Sequence, residues 1–171
     1  MKTALALGTF DGLHKGHREV LRLPDDCKKI AVIFPMPPKA LITGKPLALM
    51  LPQDKETALR NLGIDEIFAL DFEKVRTLPP EDFLKLLADK FSPDLISCGF
   101  NYRFGKNAAG DKNLLEDFCK ARGISLKCSE PVTENGETVS STEIRRFLQN
   151  GETEKANRLL YKPFSYTAEV V

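Results

Sequence analysis

His14 and His17 stand three residues apart in the segment Gly8-Thr9-Phe10-Asp11-Gly12-Leu13-His14-Lys15-Gly16-His17, and the chain holds no other histidine. Histidines at that spacing face one spot when the turn is helical. Gly8, Gly12 and Gly16 permit close approach of backbone to a ligand. A glycine-rich turn running from a strand into a helix also offers N–H groups and a positive dipole end, which suit phosphate. The plainer alternative is a strand-to-helix turn with surface histidines. A second group is Cys98-Gly99-Phe100-Asn101-Tyr102-Arg103-Phe104-Gly105-Lys106. Asn101 can donate and accept, Arg103 and Lys106 can meet phosphates, and three aromatics can wall a pocket for a planar group with an anionic tail. The competing account makes Phe100 and Phe104 core residues. A third group is Val139-Ser140-Ser141-Thr142-Glu143-Ile144-Arg145-Arg146. Ser140 with Glu143 reads as a capping box, which explains both without a ligand. Ser141, Thr142 and Arg145 add hydroxyls and a cation to that helix start, the equipment of a second phosphate site.

These groups must be held by regular elements, and the apolar pattern supplies them. Strand-length runs recur at Ala4 to Leu7, Ile30 to Phe34, Ile67 to Leu70, Leu95 to Cys98 and Ile124 to Cys128. Between them, Phe83, Leu84, Leu87 and Phe91 form a helical stripe after Pro79, Pro80, Glu81 and Asp82, and Leu114, Leu115, Phe118 and Cys119 form another ending at Gly123. Ile144, Phe147 and Leu148, then Ala156, Leu159 and Leu160, continue the series. Alternating strands and helices, with strands apolar throughout, predict an α/β fold: a mostly parallel five-stranded sheet with helices on both faces. Ligands of such sheets bind beyond the carboxyl ends of the strands, and the first two groups directly follow predicted strands. Pro35, Pro37 and Pro38 read as a stiff loop, and Glu134-Asn135-Gly136-Glu137 as a turn.

Composition narrows the function classes. The 171 residues carry 25 Lys+Arg against 24 Asp+Glu, a net charge of +1, which gives no electrostatic grip on nucleic acid or membrane. With 42% apolar and 29% charged residues the chain reads as one ordinary globular unit. The four cysteines, Cys27, Cys98, Cys119 and Cys128, form no metal pattern and read as reduced, which points to a cytoplasmic setting. The oligomeric state stays open, with a monomer preferred.

Taken in order, the three groups resemble the adenylyltransferase half of the bacterial bifunctional riboflavin kinase/FAD synthetase family. Gly8-x-Phe10-Asp11-Gly12-x-His14-x-Gly16-His17 is similar to that family's extended H-x-G-H signature, Asn101-Tyr102-Arg103-Phe104-Gly105 to its D/N-F-R-F-G segment, and Ser140-Ser141-Thr142-x-Ile144-Arg145 to its S-S-T-x-I-R helix start. The resemblance implies a Rossmann-like nucleotidylyltransferase fold over residues 1–161. It implies too that residues 162–171 are a tail like the linker and first strand of a riboflavin kinase domain. The chain departs from the family in reading Phe34-Pro35-Met36-Pro37-Pro38, with proline where the family carries histidine, and in a shorter link between His17 and the second strand.

The implied reaction is adenylyl transfer from ATP to FMN, giving FAD and pyrophosphate, with Mg²⁺ carried mainly on the ATP phosphates and without nucleic-acid or membrane partners. The resemblance implies an ATP site of Gly8, Thr9, Phe10, His14, Gly16, His17, Ser141, Thr142 and Arg145. Asp11, Asn101, Tyr102, Arg103 and Phe104 would bind the flavin. His14, His17, Asn101 and Arg145 would act in catalysis. The alternatives are a related nucleotidylyltransferase with another phosphorylated acceptor, such as phosphopantetheine or NMN, and a non-catalytic nucleotide or flavin binder.

Overall fold

The computed structural model describes residues 1–44 and 48–166. In chain order the elements are β1 (Lys2–Leu7), α1 (Lys15–Leu21), β2 (Cys27–Ile33), α2 (Pro38–Thr43), α3 (Pro52–Asn61), β3 (Glu66–Ala69), α4 (Phe72–Val75), α5 (Pro80–Phe91), β4 (Leu95–Gly99), α6 (Lys112–Arg122), β5 (Ser125–Ser129), the hairpin β6 (Thr133–Glu134) and β7 (Glu137–Thr138), α7 (Ser141–Gln149) and α8 (Thr153–Leu159). The five long strands lie in the order β3-β2-β1-β4-β5, and every neighbouring pair is parallel. The chain therefore winds outward from β1 to β3 and then crosses to the other side of β1 for β4. That reversal opens a crevice at the carboxyl ends of β1 and β4, where a ligand can enter.

Side-chain alternation along β1 divides the core. Leu5 and Leu7 pack with Leu84, Leu87 and Leu115 of α5 and α6 on one face, while Ala4 and Ala6 pack with Val20, Leu21 and Leu59 of α1 and α3 on the other. Helices thus cover both faces, as the pattern predicts. α5 begins with proline in its first turn and carries Glu81 and Asp82 beside its positive dipole end. In α6 the Leu114 N–H donates to the Asp111 carboxylate at 3.1 Å, and Gly123 ends the helix in the left-handed conformation. α7 and α8 form a separate apolar cluster through Ile144, Phe147, Ala156 and Leu159, which also takes in Leu49 and Val139.

Two local readings change. Pro37 and Pro38 open the short helix α2 instead of forming a stiff loop, since proline is preorganised for a first turn and needs no N–H there. The capping box is half formed: the Glu143 N–H donates to Ser140 Oγ at 3.2 Å, but the Glu143 carboxylate accepts from Arg146 at 2.7 Å. Of the tail over residues 162–171 only residues 162–166 are described, so the expected linker and first strand lie largely outside the described residues. The Asn135-Gly136 turn closes the β6–β7 hairpin with both residues at positive φ, as a two-residue hairpin demands.

Gly110 shows how tightly the wall after β4 is built. Its backbone exchanges hydrogen bonds with Phe104, and an added Cβ would lie 2.5 Å from the Phe104 ring. That ring stacks on both Phe83 and Tyr102, so moving it would disturb two aromatic contacts. Gly110→Ala is expected to lower stability by about 2 kcal/mol, the usual cost of overpacking. Urea unfolding should show a lower midpoint with an unchanged slope.

Candidate functional site

The loop from Gly8 to His14 is folded under constraint. Phe10 and Leu13 hold φ values of 50° and 42°, a region that costs non-glycine residues on the order of 1–3 kcal/mol each. Phe10 is fully buried beneath the loop, its ring edge-on to His17 at 5.3 Å. It therefore supports the site from below and does not line the cavity. Gly12, at φ 80°, turns the chain so that Leu13 enters the core and His14 caps α1.

The two histidines stack face to face, with ring centroids 3.6 Å apart and planes at 16°. The His17 N–H donates to His14 Nδ1 at 3.2 Å, so a helix N–H that the sequence offered to phosphate is taken by the ring. This bond fixes the neutral tautomer: the His14 proton resides on Nε2, which becomes a donor. Burial, reinforced by Arg145, pulls the His14 pKa down to about 4, and burial with His14 and Lys55 nearby pulls that of His17 well below its usual value. Both imidazoles are neutral at pH 7. His17 Nδ1 is buried without a partner among the described residues.

A cavity of about 450 Å³ opens beside them. Its walls come from His14, Gly16 and His17 after β1, from Gly99 and Asn101 at the end of β4, and from Ser141 and Thr142 at the start of α7. The three sequence groups thus meet in one space. Ser129, at the end of β5, also faces it with a buried hydroxyl that lacks a partner. The sequence reading missed Ser129, because a lone serine at a strand end carries no local signal. The Lys15 ammonium, 2.8 Å from the Glu134 carboxylate, ties the β6–β7 hairpin to α1 at the rim.

A second cavity of about 500 Å³ opens beyond the ends of β2 and β4, walled by Phe34, Phe72, Val75, Phe83, Tyr102 and Phe104, with Arg76 and Arg103 at its rim. Pro38 and Ile42 of α2 close one side, while Pro37, which stands where the family carries histidine, does not line it. Phe104 is both core and wall, being 5% exposed. Arg103 lies 3.6 Å from Asp111. Asn101 is exposed on the first cavity while Tyr102 and Arg103 line the second, so one short segment borders both.

Asp11, which the resemblance assigned to the flavin, is 1% exposed and lies beneath the first cavity. Its carboxylate pairs with Arg145 at 2.5 Å and accepts the Leu49 N–H at 2.9 and 3.1 Å. Burial raises its pKa, while Arg145 and Lys55 oppose that rise. The Ser141 hydroxyl donates to the Asp11 carbonyl at 2.8 Å, fastening α7 to the loop. Asp11 therefore anchors Arg145 and Ser141. It lines neither cavity. Among the described residues no three His, Cys, Asp or Glu side chains converge to hold a metal ion, and no helix is long and apolar enough to cross a membrane.

Comparison with known proteins bears on this geometry. The family model described as FAD synthetase matches residues 1–143. The chain belongs to the FAD synthetase family. It is 31% identical to the FAD synthetase of Listeria monocytogenes over 176 aligned positions, covering 97% of this chain and 71% of that protein. It is 30% identical to the bifunctional riboflavin kinase/FMN adenylyltransferase of Bacillus subtilis, over 95% of this chain and 54% of that one, and 29% identical to the protein of the same description from Pseudomonas fluorescens, over 96% and 56%. The chain thus spans about half the length of these bifunctional relatives. A Streptococcus pneumoniae crystal structure named macrolide-efflux protein superposes with a TM-score of 0.83 at 25% identity, over 95% of this chain and 65% of that one. Pantoate-beta-alanine ligase from Francisella tularensis shares the nucleotidylyltransferase-like fold at a TM-score of 0.54 and 16% identity, over 99% of this chain and 82% of that one.

The neutral histidines make stability depend on pH. Their folded pKa values lie below the unfolded value of 6.5, so the unfolded chain takes up protons first and stability falls as pH drops from 7 toward 4. For His14 the difference amounts to roughly 3 kcal/mol. His14→Asn keeps a side chain able to cap α1 but removes the proton site. Denaturant unfolding at pH 7 and pH 4.5 should show a smaller acid loss in that variant than in the parent.

Proposed function

We propose that this chain transfers the adenylyl group of ATP to FMN, giving FAD and pyrophosphate. The observation that carries this reading is the pair of cavities that share the Asn101 to Arg103 segment. One is edged by imidazoles, hydroxyls and the Asn101 amide, while the other is walled by aromatic rings and large enough for a planar ring system. ATP occupies the first, with its triphosphate against His14, His17, Ser141, Thr142 and Arg145. The flavin ring occupies the second, against Tyr102 and Phe104, with its phosphate directed past Arg103 and Asn101 toward the α-phosphorus. Mg²⁺ enters as part of the MgATP substrate, held by phosphate oxygens. The buried thiols of Cys27, Cys98 and Cys119 fit a reducing, cytoplasmic setting.

An FMN phosphate oxygen attacks the α-phosphorus in line, the bond to the bridging oxygen of pyrophosphate breaks, and pyrophosphate leaves. Nucleophile and leaving group are both anionic at neutral pH, so no general base is required. Catalysis rests on positioning and on donors aimed at charge that grows in the transition state. His14 is suited to this because its Nε2–H is held in place by the Nδ1 bond to the α1 backbone. A neutral donor also avoids clamping the ground-state triphosphate as firmly as a cation would, which leaves more of its interaction for the transition state.

The test is incubation with MgATP and, in separate tubes, FMN, riboflavin, phosphopantetheine and NMN, followed by chromatography for adenylylated product and pyrophosphate. FAD from FMN but not from riboflavin is expected. Product from another acceptor would replace FMN in this reading, and nucleotide binding without product would mark a binder. His14→Ala and His17→Ala are each expected to lower turnover by more than about 100-fold with circular dichroism unchanged, the scale for losing one preorganised donor. Turnover within twofold of the parent would remove the histidines from the mechanism.

A further inference from the structure

Lys55 is a fully buried charged side chain that the adenylyl-transfer reading leaves without a role. It stands on α3, a helix outside all three sequence groups. Its ammonium donates to three backbone carbonyls: Thr9 at 3.0 Å, Phe34 at 3.1 Å and Pro35 at 3.1 Å. Thr9 belongs to the loop after β1 that carries His14 and His17. Phe34 and Pro35 follow β2, and Phe34 is a wall of the aromatic cavity. These three bonds use every N–H of an ammonium. A buried charge costs several kcal/mol unless fully partnered, so a lysine with this set is retained at a cost that an apolar residue would not carry.

We propose that Lys55 is a positioning residue for both substrates: its ammonium clamps the phosphate loop after β1 to the acceptor wall after β2, setting the two cavities in register for in-line attack. The inference rests on the adenylyl-transfer reading and adds a residue to it. No substrate atom need touch Lys55, because three carbonyls held at one point fix the relative placement of both strand ends. A neutral amine has two N–H donors and releases at least one carbonyl.

Deprotonation is therefore a natural probe. Burial pulls the Lys55 pKa down to about 8, and Asp11 opposes that shift. Asp11 faces the ammonium from the β1–α1 loop, His17 from α1, and Arg145 from α7 across the Asp11 carboxylate. Tyr166 faces Asp11 and Asp54 from the C-terminal segment, and burial raises its hydroxyl. Both histidines titrate on the acid side, so they do not obscure an alkaline change. Since the folded pKa lies below the ordinary 10.5, the folded chain sheds this proton first, and stability from this group rises as pH climbs from 8. Unfolding through Lys55 cannot mimic a loss of activity in that window.

The experiment measures kcat and KM for ATP and FMN from pH 6.5 to 9.5 in the parent and in Lys55→Met, a neutral chain of similar length, with melting temperatures recorded alongside. The parent should lose half of its kcat/KM near pH 8 with no fall in melting temperature. Lys55→Met should show at least a tenfold lower kcat, a raised KM for both substrates, and no alkaline limb. A merely structural lysine would reduce the amount of active protein while leaving both KM values and the pH profile alone, and that result overturns the inference. Should Lys55→Met fail to fold, the parent profile decides alone: kcat/KM flat to pH 9.5 overturns it. If FMN and ATP bind but no FAD forms, the catalytic reading fails separately. Calorimetric affinities for the two ligands, followed over the same pH range, then carry the test, and affinities that stay constant through pH 8 overturn the clamp.

Discussion

The arrangement depends on one buried carboxylate. Asp11 is taken almost wholly out of water, and desolvating an ionised carboxylate costs several kcal/mol unless partners replace the lost hydration. Here they come from distant parts of the chain: the Leu49 N–H from the stretch before α3, the Arg145 guanidinium from α7, and the field of Lys55 from α3. Satisfying the charge thus assembles the site, because the loop bearing His14 reaches its low-energy position only when those segments have docked. Removing one partner of such a pair typically costs 3–5 kcal/mol, since the other charge stays buried.

Charge is distributed in depth. The Lys55 ammonium and the Asp11 carboxylate are buried under the loop after β1, the Arg145 side chain is 22% exposed beside Asp11, and the cavity itself is lined by neutral imidazoles and hydroxyls. The underlying cations help keep the imidazoles unprotonated: Arg145 depresses His14 and Lys55 depresses His17. An anion entering the cavity meets a positive potential from below and oriented, uncharged donors at contact distance.

Much of this was legible in the residues, and the failures have physical causes. The strands were visible because parallel strands covered on both faces are nearly all apolar, as Ile30 to Ile33 are, and as Leu95 to Cys98 are but for Ser97, whose buried hydroxyl donates to the Val20 carbonyl. The strand-to-helix turn after β1 was visible through its glycines and histidines. The exchange of roles at Asp11 was not, because a carboxylate beside a glycine looks the same in sequence whether it meets a ligand or a guanidinium far along the chain. Lys55 was hidden inside Asp54-Lys55-Glu56, which reads as a solvated charge run. Its spacing of four from Leu59, the other buried residue of α3, was the one available sign that it points inward.

The C-terminal end of α8 gives the loop its backing. Leu160 pairs with His14 as an isolated β-bridge, the Tyr161 N–H donates to the Leu13 carbonyl at 3.3 Å, and the Arg18 guanidinium lies over the Tyr161 ring. Two non-glycine residues of that loop, Phe10 and Leu13, sit at positive φ and would relax if uncovered, so the strain is retained only while residues 160 and 161 press against it. Tension applied at residue 166 would first load the contacts of Tyr166 with Ala48 and of Phe164 with Asn157, and once these gave way it would bear on the His14 backbone through residues 160 and 161 before it reached the sheet.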